Sequence, residues 1–176
     1  GYVSQYAFLF FGKKQELSAE VADDLKNHGF AFSRHLIFTS PVEDLQLREG
    51  QLGDIGILEL DASYLDAYLA YKYQDHLQYG QVYADQILAD NKANLFSNGS
   101  NIFLALDGER IIGDLTVWYL GDYVEIDDFS VQEAYRGRGI GTALQRAALA
   151  GQQKVMLIAE EENQAMYRHQ GYEEVS

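Results

Sequence analysis

The 176-residue chain contains no cysteine. Disulfide bridges, zinc–thiolate sites and cysteine nucleophiles are therefore excluded. The same absence suits a reducing cytoplasm, the compartment we expect. Nor is there an apolar run near the roughly 20 residues of a membrane span. The longest, Tyr6 to Phe11, has about the length of a strand. No basic start followed by an apolar core and a cleavage site marks a signal peptide. Positive charge is scarce: 13 Lys and Arg stand against 27 Asp and Glu, for a net charge of −14. Such a surface repels phosphate backbones, so nucleic-acid binding is not expected, and it attracts small cations. An anionic ligand needs a local basic or amide-rich spot. The histidines, His28, His35, His76 and His169, show no ligand spacing, so no metal is expected.

What is present divides near residue 50. Residues 1–50 read as a βαβ-like N-terminal extension. It holds a strand at Tyr6–Phe11, a helix from its Ser18 cap to about Asn27, and a strand from Phe30 to Thr39. Gly50 and Gly53 mark a boundary. Within 51–176, Ile55–Leu60 reads as a strand. Two helices follow, Ala62 to about Tyr79 behind an Asp61 cap, and Gln81 to about Phe96. Tyr64, Tyr68 and Tyr71 recur on the first at helical spacing, a stripe suited to core or to an acceptor pocket. Asp107–Gly108 then predicts a hairpin between Asn101–Leu106 and Arg110–Tyr119. Tyr123–Val131 is a third strand of that meander. A helix from Gly137 to about Ala150, a strand at Lys154–Ala159, a helix from Glu162 to about Gln170 and a short strand from Tyr172 complete the order. The pattern predicts an α/β fold of the α+β type, with a mixed, mostly antiparallel sheet flanked by helices.

Arg136–Gly137–Arg138–Gly139–Ile140–Gly141 comes straight off an acidic strand and opens a helix. Glycine permits close backbone approach and positive φ. At a helix start several N–H groups lack helical partners and point outward, and the dipole adds positive charge. Diphosphate suits such a cradle. A dinucleotide fingerprint fails here, because Thr142 or Leu144 stands where its last glycine belongs. A P-loop fails too, for want of a Gly-Lys-Ser/Thr end.

With Arg136, Gly139 and Gly141 in the register Arg/Gln-x-x-Gly-x-Gly/Ala, the chain resembles the GNAT superfamily of acyl-CoA-dependent N-acyltransferases. Tyr167 followed by Gly171–Tyr172 is similar to a second element of that family. Glu160 and Asn163 depart from the asparagine and alanine often found before that tyrosine, and Glu133 from a common proline. The likeness covers about residues 51–176. It implies a GNAT-like fold, acetyl-CoA as cosubstrate and a small amine as acceptor. It implies a pantetheine arm on the backbone of Phe129 and Val131, where the central strands splay, and a diphosphate on Arg136, Gly137, Arg138, Gly139, Ile140 and Gly141. Family members usually finish with two antiparallel strands after the Gly-Tyr pair. This chain stops at Ser176, so either the N-terminal unit supplies the missing pairing or the given sequence ends short of the last strand, and an incomplete sheet edge suits a homodimer.

Acyl transfer to an amine needs a proton acceptor for the amine, stabilisation of an oxyanion and a proton for the thiolate. Residues 118–135 carry Asp122, Glu125, Asp127, Asp128 and Glu133 and no Lys or Arg. Strand alternation puts Glu125, Asp127 and Phe129 on one face and Asp128 on the other. Asp127 or Glu125 is the expected base; Asp127 matches an acidic position of some polyamine acetyltransferases in the family. Tyr167, matched by motif, is the expected acid, since a phenol can donate a proton. The alternative reading is a catalytically silent GNAT-like domain that binds CoA or a protein partner.

Overall fold

In the computed structural model the chain is described for Leu9, Phe11, Gly12 and residues 17–175. The strand expected at Tyr6–Phe11 lies largely outside the described residues. Helix α1 (Ala19–Asn27) starts where expected, with the Ser18 Oγ accepting from the Val21 N–H at 3.3 Å. Then come β1 (His35–Pro41), β2 (Ile55–Glu59), α2 (Leu65–His76) and α3 (Gln81–Asn94). The meander is β3 (Ser100–Asp107), β4 (Arg110–Leu120) and β5 (Tyr123–Val131). Helix α4 (Ile140–Ala148), β6 (Lys154–Glu160), α5 (Gln164–His169) and β7 (Glu173–Glu174) finish the chain. Asp61 helps turn the chain before α2 by accepting the Ser63 N–H at 2.8 Å. Among the described residues no helix is long and apolar enough to cross a membrane.

The strands form one sheet in the order β2-β3-β4-β5-β6-β1-β7. Only β5 and β6 run parallel; the other neighbours are antiparallel. Strand β1 pairs with β6 from His35↔Glu160 to Pro41↔Lys154, and β7 adds to the far edge of β1. The N-terminal segment thus supplies the strand beside β6, and the sheet draws on both sides of residue 50.

Each face of the sheet has its own core. On one, Leu115, Val117, Val124, Ile126, Val155 and Leu157 pack with Ile140 and Leu144 of α4 and with Tyr167 of α5. On the other, Ile102, Leu104, Leu106 and Ile111 pack with Tyr68 of α2 and with Leu95. Tyr64 and Tyr71 border this second core, so the tyrosine stripe is largely packing.

Two irregularities in β5 position the site. Its register against β4 shifts between Asp114↔Ser130 and Thr116↔Asp127, so Leu115 faces two residues, Asp128 and Phe129. Asp128 takes φ 44° there, the left-handed turn of a β-bulge. The bulge resets the alternation and corrects the expected facing. Phe129 sides with α4, where its ring lies against Gly141, whereas Asp128 points to Lys72 on α2. Asp127 is paired with Thr116, which interacts with the Tyr68 hydroxyl, so Asp127 also faces α2. Secondly, β5–β6 pairing ends at Ile126↔Leu157. Beyond it β6 stays with β1 and β5 stays with β4, and the two strands part.

Candidate active site

The helix predicted from Gly137 begins at Ile140, because Gly137 and Gly139 take φ of 78° and 85° and hold the chain in a loop. The Arg136 N–H bonds the Glu133 carbonyl at 3.2 Å, and the Ala143 N–H bonds that of Gly139 at 3.0 Å. Between them, the N–H groups of Gly137 through Thr142 have no acceptor among the described residues. A row of free donors at the positive end of a helix is a fit for a diphosphate. Arg136 to Arg138 are exposed, so the row is open to solvent at its start. Arg136 is anchored by its Nε, which donates to the Val131 carbonyl at 3.0 Å. The Arg138 guanidinium lies over the Tyr135 ring, 5.3 Å from its centroid.

A strap from β1 supports this loop from below. A Cβ on Gly50 would meet the Arg138 carbonyl oxygen at 2.4 Å and the Gly139 Cα at 2.7 Å. Next to it, Arg146 of α4 bridges to Glu49 at 2.9 Å. Gly50 therefore serves close backbone approach, a role its position between two polar runs does not disclose.

Phe129 and Val131 lie just past the last β5–β6 pair, at the splay, with their side chains towards Gly141. Tyr167 is 7% exposed and packs on Phe38 and Tyr172, with ring centroids 5.6 and 5.5 Å away. Burial raises its pKa, which keeps the phenol protonated at neutral pH. Glu125 stands opposite Trp118, in the stretch where β5 still pairs with β6. Asp127 is exposed, and its Oδ1 accepts the Asp128 N–H at 2.8 Å.

An ionic cluster beside the bulge escaped the sequence reading. The Lys72 ammonium lies 3.2 Å from Asp114 Oδ2 and 2.8 Å from Asp128 Oδ2. The Lys72 and Asp114 side chains are 5% and 0% exposed, whereas Asp128 is 49% exposed. Asp114 also accepts hydrogen bonds from Tyr68 at 3.4 Å and Ser130 at 2.7 Å. The Tyr71 hydroxyl lies 3.3 Å from Ser130 Oγ. Burial works against the Lys72 ammonium, but Asp114 and then Asp128 outweigh it and raise its pKa. Burial raises that of Asp114, with Lys72 opposing. A sequence signal existed. Lys72 follows Tyr68 by one turn on a buried helix face, and Asp114 interrupts an apolar strand; each is a charge in a place that needs a partner. His76, one turn further, has its pKa lowered by burial and by Lys72, so it is neutral at pH 7. Among the described residues no group of three His, Asp or Glu converges as metal ligands would.

Comparison with known proteins shows what this arrangement is similar to. Residues 98–174 match the model of the acetyltransferase (GNAT) domain. Among solved structures, a functionally unknown conserved protein from Staphylococcus epidermidis aligns with TM-score 0.77 and 20% identity, over 94% of this chain and 67% of its own. A GCN5-related N-acetyltransferase from Kribbella flavida aligns with TM-score 0.54 and 15% identity, over 89% of this chain and 60% of its own. A predicted acetyltransferase from Clostridium acetobutylicum, solved with acetyl-CoA, aligns with TM-score 0.56 and 12% identity, over 69% of this chain and 92% of its own. The chain thus spans about two thirds or less of the first two proteins. No curated protein matches. The chain shares the GNAT fold with these structures, and its residues 98–174 match the GNAT acetyltransferase domain.

Proposed function

We propose that the chain is an N-acetyltransferase that moves an acetyl group from acetyl-CoA to a small cationic amine. The observation that carries this reading is the row of N–H groups from Gly137 to Thr142 that have no acceptor among the described residues, beside the splayed strands. Arg136 and Arg138 add charge for the diphosphate. Past the last β5–β6 pair the backbone of Phe129 and Val131, whose carbonyl accepts from the Arg136 Nε, offers an edge for an amide-bearing arm. Acetyl-CoA supplies an acyl thioester at the splay. The chain supplies proton handling around it. An alkylamine has a pKa near ~10, so at neutral pH it arrives as an ammonium ion and must lose a proton before it can attack. A β5 carboxylate on the α2 side, where Glu125 and Asp127 stand, takes that proton. Tyr167, kept protonated by burial, returns one to the departing thiolate as a C–N bond replaces the C–S bond. The net charge of −14 favours a cationic acceptor.

Calorimetric titration with acetyl-CoA tests the cradle, and thiol release across a panel of amines tests turnover. We expect micromolar binding and turnover on at least one primary amine. Absence of binding at millimolar acetyl-CoA overturns the reading. Binding without turnover across diamines, aminoglycosides and amino acids would favour the silent domain.

A further inference from the structure

We propose that Asp128, held by Lys72 at the β5 bulge, is the carboxylate that binds the ammonium group of the acceptor and takes its proton. This rests on the acetyltransferase reading above and moves its base from Glu125 and Asp127 to Asp128.

Position is the first ground. Asp128 lies two residues past Ile126↔Leu157, the last pair before the strands part. Its carboxylate is on the α2 side of that opening. Backbone cost is the second. Among the described residues Asp128 is the one non-glycine at positive φ. A left-handed conformation strains a residue that has a side chain, and it persists where its surroundings enforce it. Here two contacts do so: the Asp127 carboxylate accepts the Asp128 N–H, and the Lys72 ammonium holds the Asp128 carboxylate at 2.8 Å.

Charge is the third ground. One ammonium stands between two carboxylates, so the triad carries one negative charge in excess. Asp114 is fully enclosed and receives hydrogen bonds from Tyr68, Lys72 and Ser130. The excess charge therefore falls on Asp128, whose open half faces solvent. An arriving alkylammonium neutralises it. His76 nearby is neutral and does not compete as a cation. The competing carboxylates are placed otherwise. Asp127 is engaged with its neighbour's N–H, and Glu125 lies where β5 and β6 are still paired.

In the step, an ammonium N–H bond breaks and an O–H bond forms on Asp128. The electron pair stays on nitrogen for attack, and the proton passes from Asp128 to solvent afterwards. Lys72 and Asp114 are positioning residues.

The test uses 1,4-diaminobutane, with uncharged 1,4-butanediol as control, titrated into the full chain with and without CoA. We expect the diamine to bind and the diol not to. Asp128→Asn should weaken diamine binding about tenfold or more, the loss of a charge-assisted contact, and leave acetyl-CoA affinity unchanged. Asp122→Asn, which removes an exposed carboxylate from the turn between β4 and β5, is the control and should stay within about threefold. Lys72→Met should raise KM for the diamine, with partial rescue by Lys72→Arg. Equal diamine affinity in the wild type and Asp128→Asn, or no diamine binding by the wild type, overturns the proposal. Failure of the acetyltransferase reading shows separately, as absent acetyl-CoA binding.

Discussion

Gly50 and Gly139 meet main chain to main chain: a Cβ on Gly139 would lie 2.6 Å from the Gly50 Cα. The strap from β1 thereby braces the loop whose N–H groups, without an acceptor among the described residues, form the proposed cradle. Gly50→Ala would push a methyl group to 2.4 Å from the Arg138 carbonyl, so loop or strap must move. Forcing atoms into filled space costs about 1–3 kcal/mol, and here the displaced atoms belong to the cradle. We expect a lower Tm and at least a tenfold loss of acetyl-CoA affinity by titration. Gly53→Ala is the control. Its φ of 62° makes alanine strained, yet nothing lies within 4 Å. It should lower Tm and leave affinity intact. Equal affinity in Gly50→Ala and wild type would show that the loop does not need its brace.

Tyr167 sits in the core between Phe38 and Tyr172, so Tyr167→Phe keeps the ring and its packing. Only the hydroxyl is lost. We expect acetyl-CoA affinity and Tm near those of wild type, with kcat down about 10²-fold or more, the usual scale of general-acid assistance. Retained kcat would leave Tyr167 as a packing residue.

What could be read from the sequence was local. The Ser18 cap, the Asp107–Gly108 turn and the glycine loop depend on residues a few positions apart, and each appears where its chemistry places it. What could not be read was non-local or irregular. Lys72 and Asp114 lie 42 residues apart; each is a charge that needs a partner, but nothing local says which residue that partner is. Gly50 meets Gly139 only after β1 has crossed to the far side of β6. The facing of Asp128 and Phe129 came out reversed because alternation assumes two residues per repeat, and a bulge inserts one. Irregularities of this kind gather near active sites, so the site is where simple periodicity was least useful.

Removing one partner of the buried pair should cost more than removing both. Lys72→Met leaves the enclosed Asp114 carboxylate without its cation, and breaking such pairs costs about 3–5 kcal/mol. Asp114→Asn leaves Lys72 with the half-exposed Asp128 and should cost less. The double variant Lys72→Met with Asp114→Leu removes both charges and should recover much of the loss. Urea denaturation of the three variants checks the order. Additive losses would mean that the two residues contribute separately.

Alkaline pH should unfold the protein through its buried proton donors. Burial raises the pKa of Tyr68, Tyr167 and Tyr172, and the carboxylates of Asp114 and Asp128 overcome burial to raise that of Lys72. In the unfolded chain these groups lose their protons near pH ~10. Above that pH the folded state holds more protons than the unfolded state, so stability falls as pH rises. Below it both states are protonated and the contribution is constant. We expect Tm to change little from these groups between pH 7 and about 9, then to fall steeply above about 10. Tyr167→Phe removes one such donor and should make the fall shallower, while its Tm at pH 8 stays near that of wild type. A Tm that holds level to about pH 11 would mean that these hydroxyls ionise as freely in the folded state as in the unfolded one.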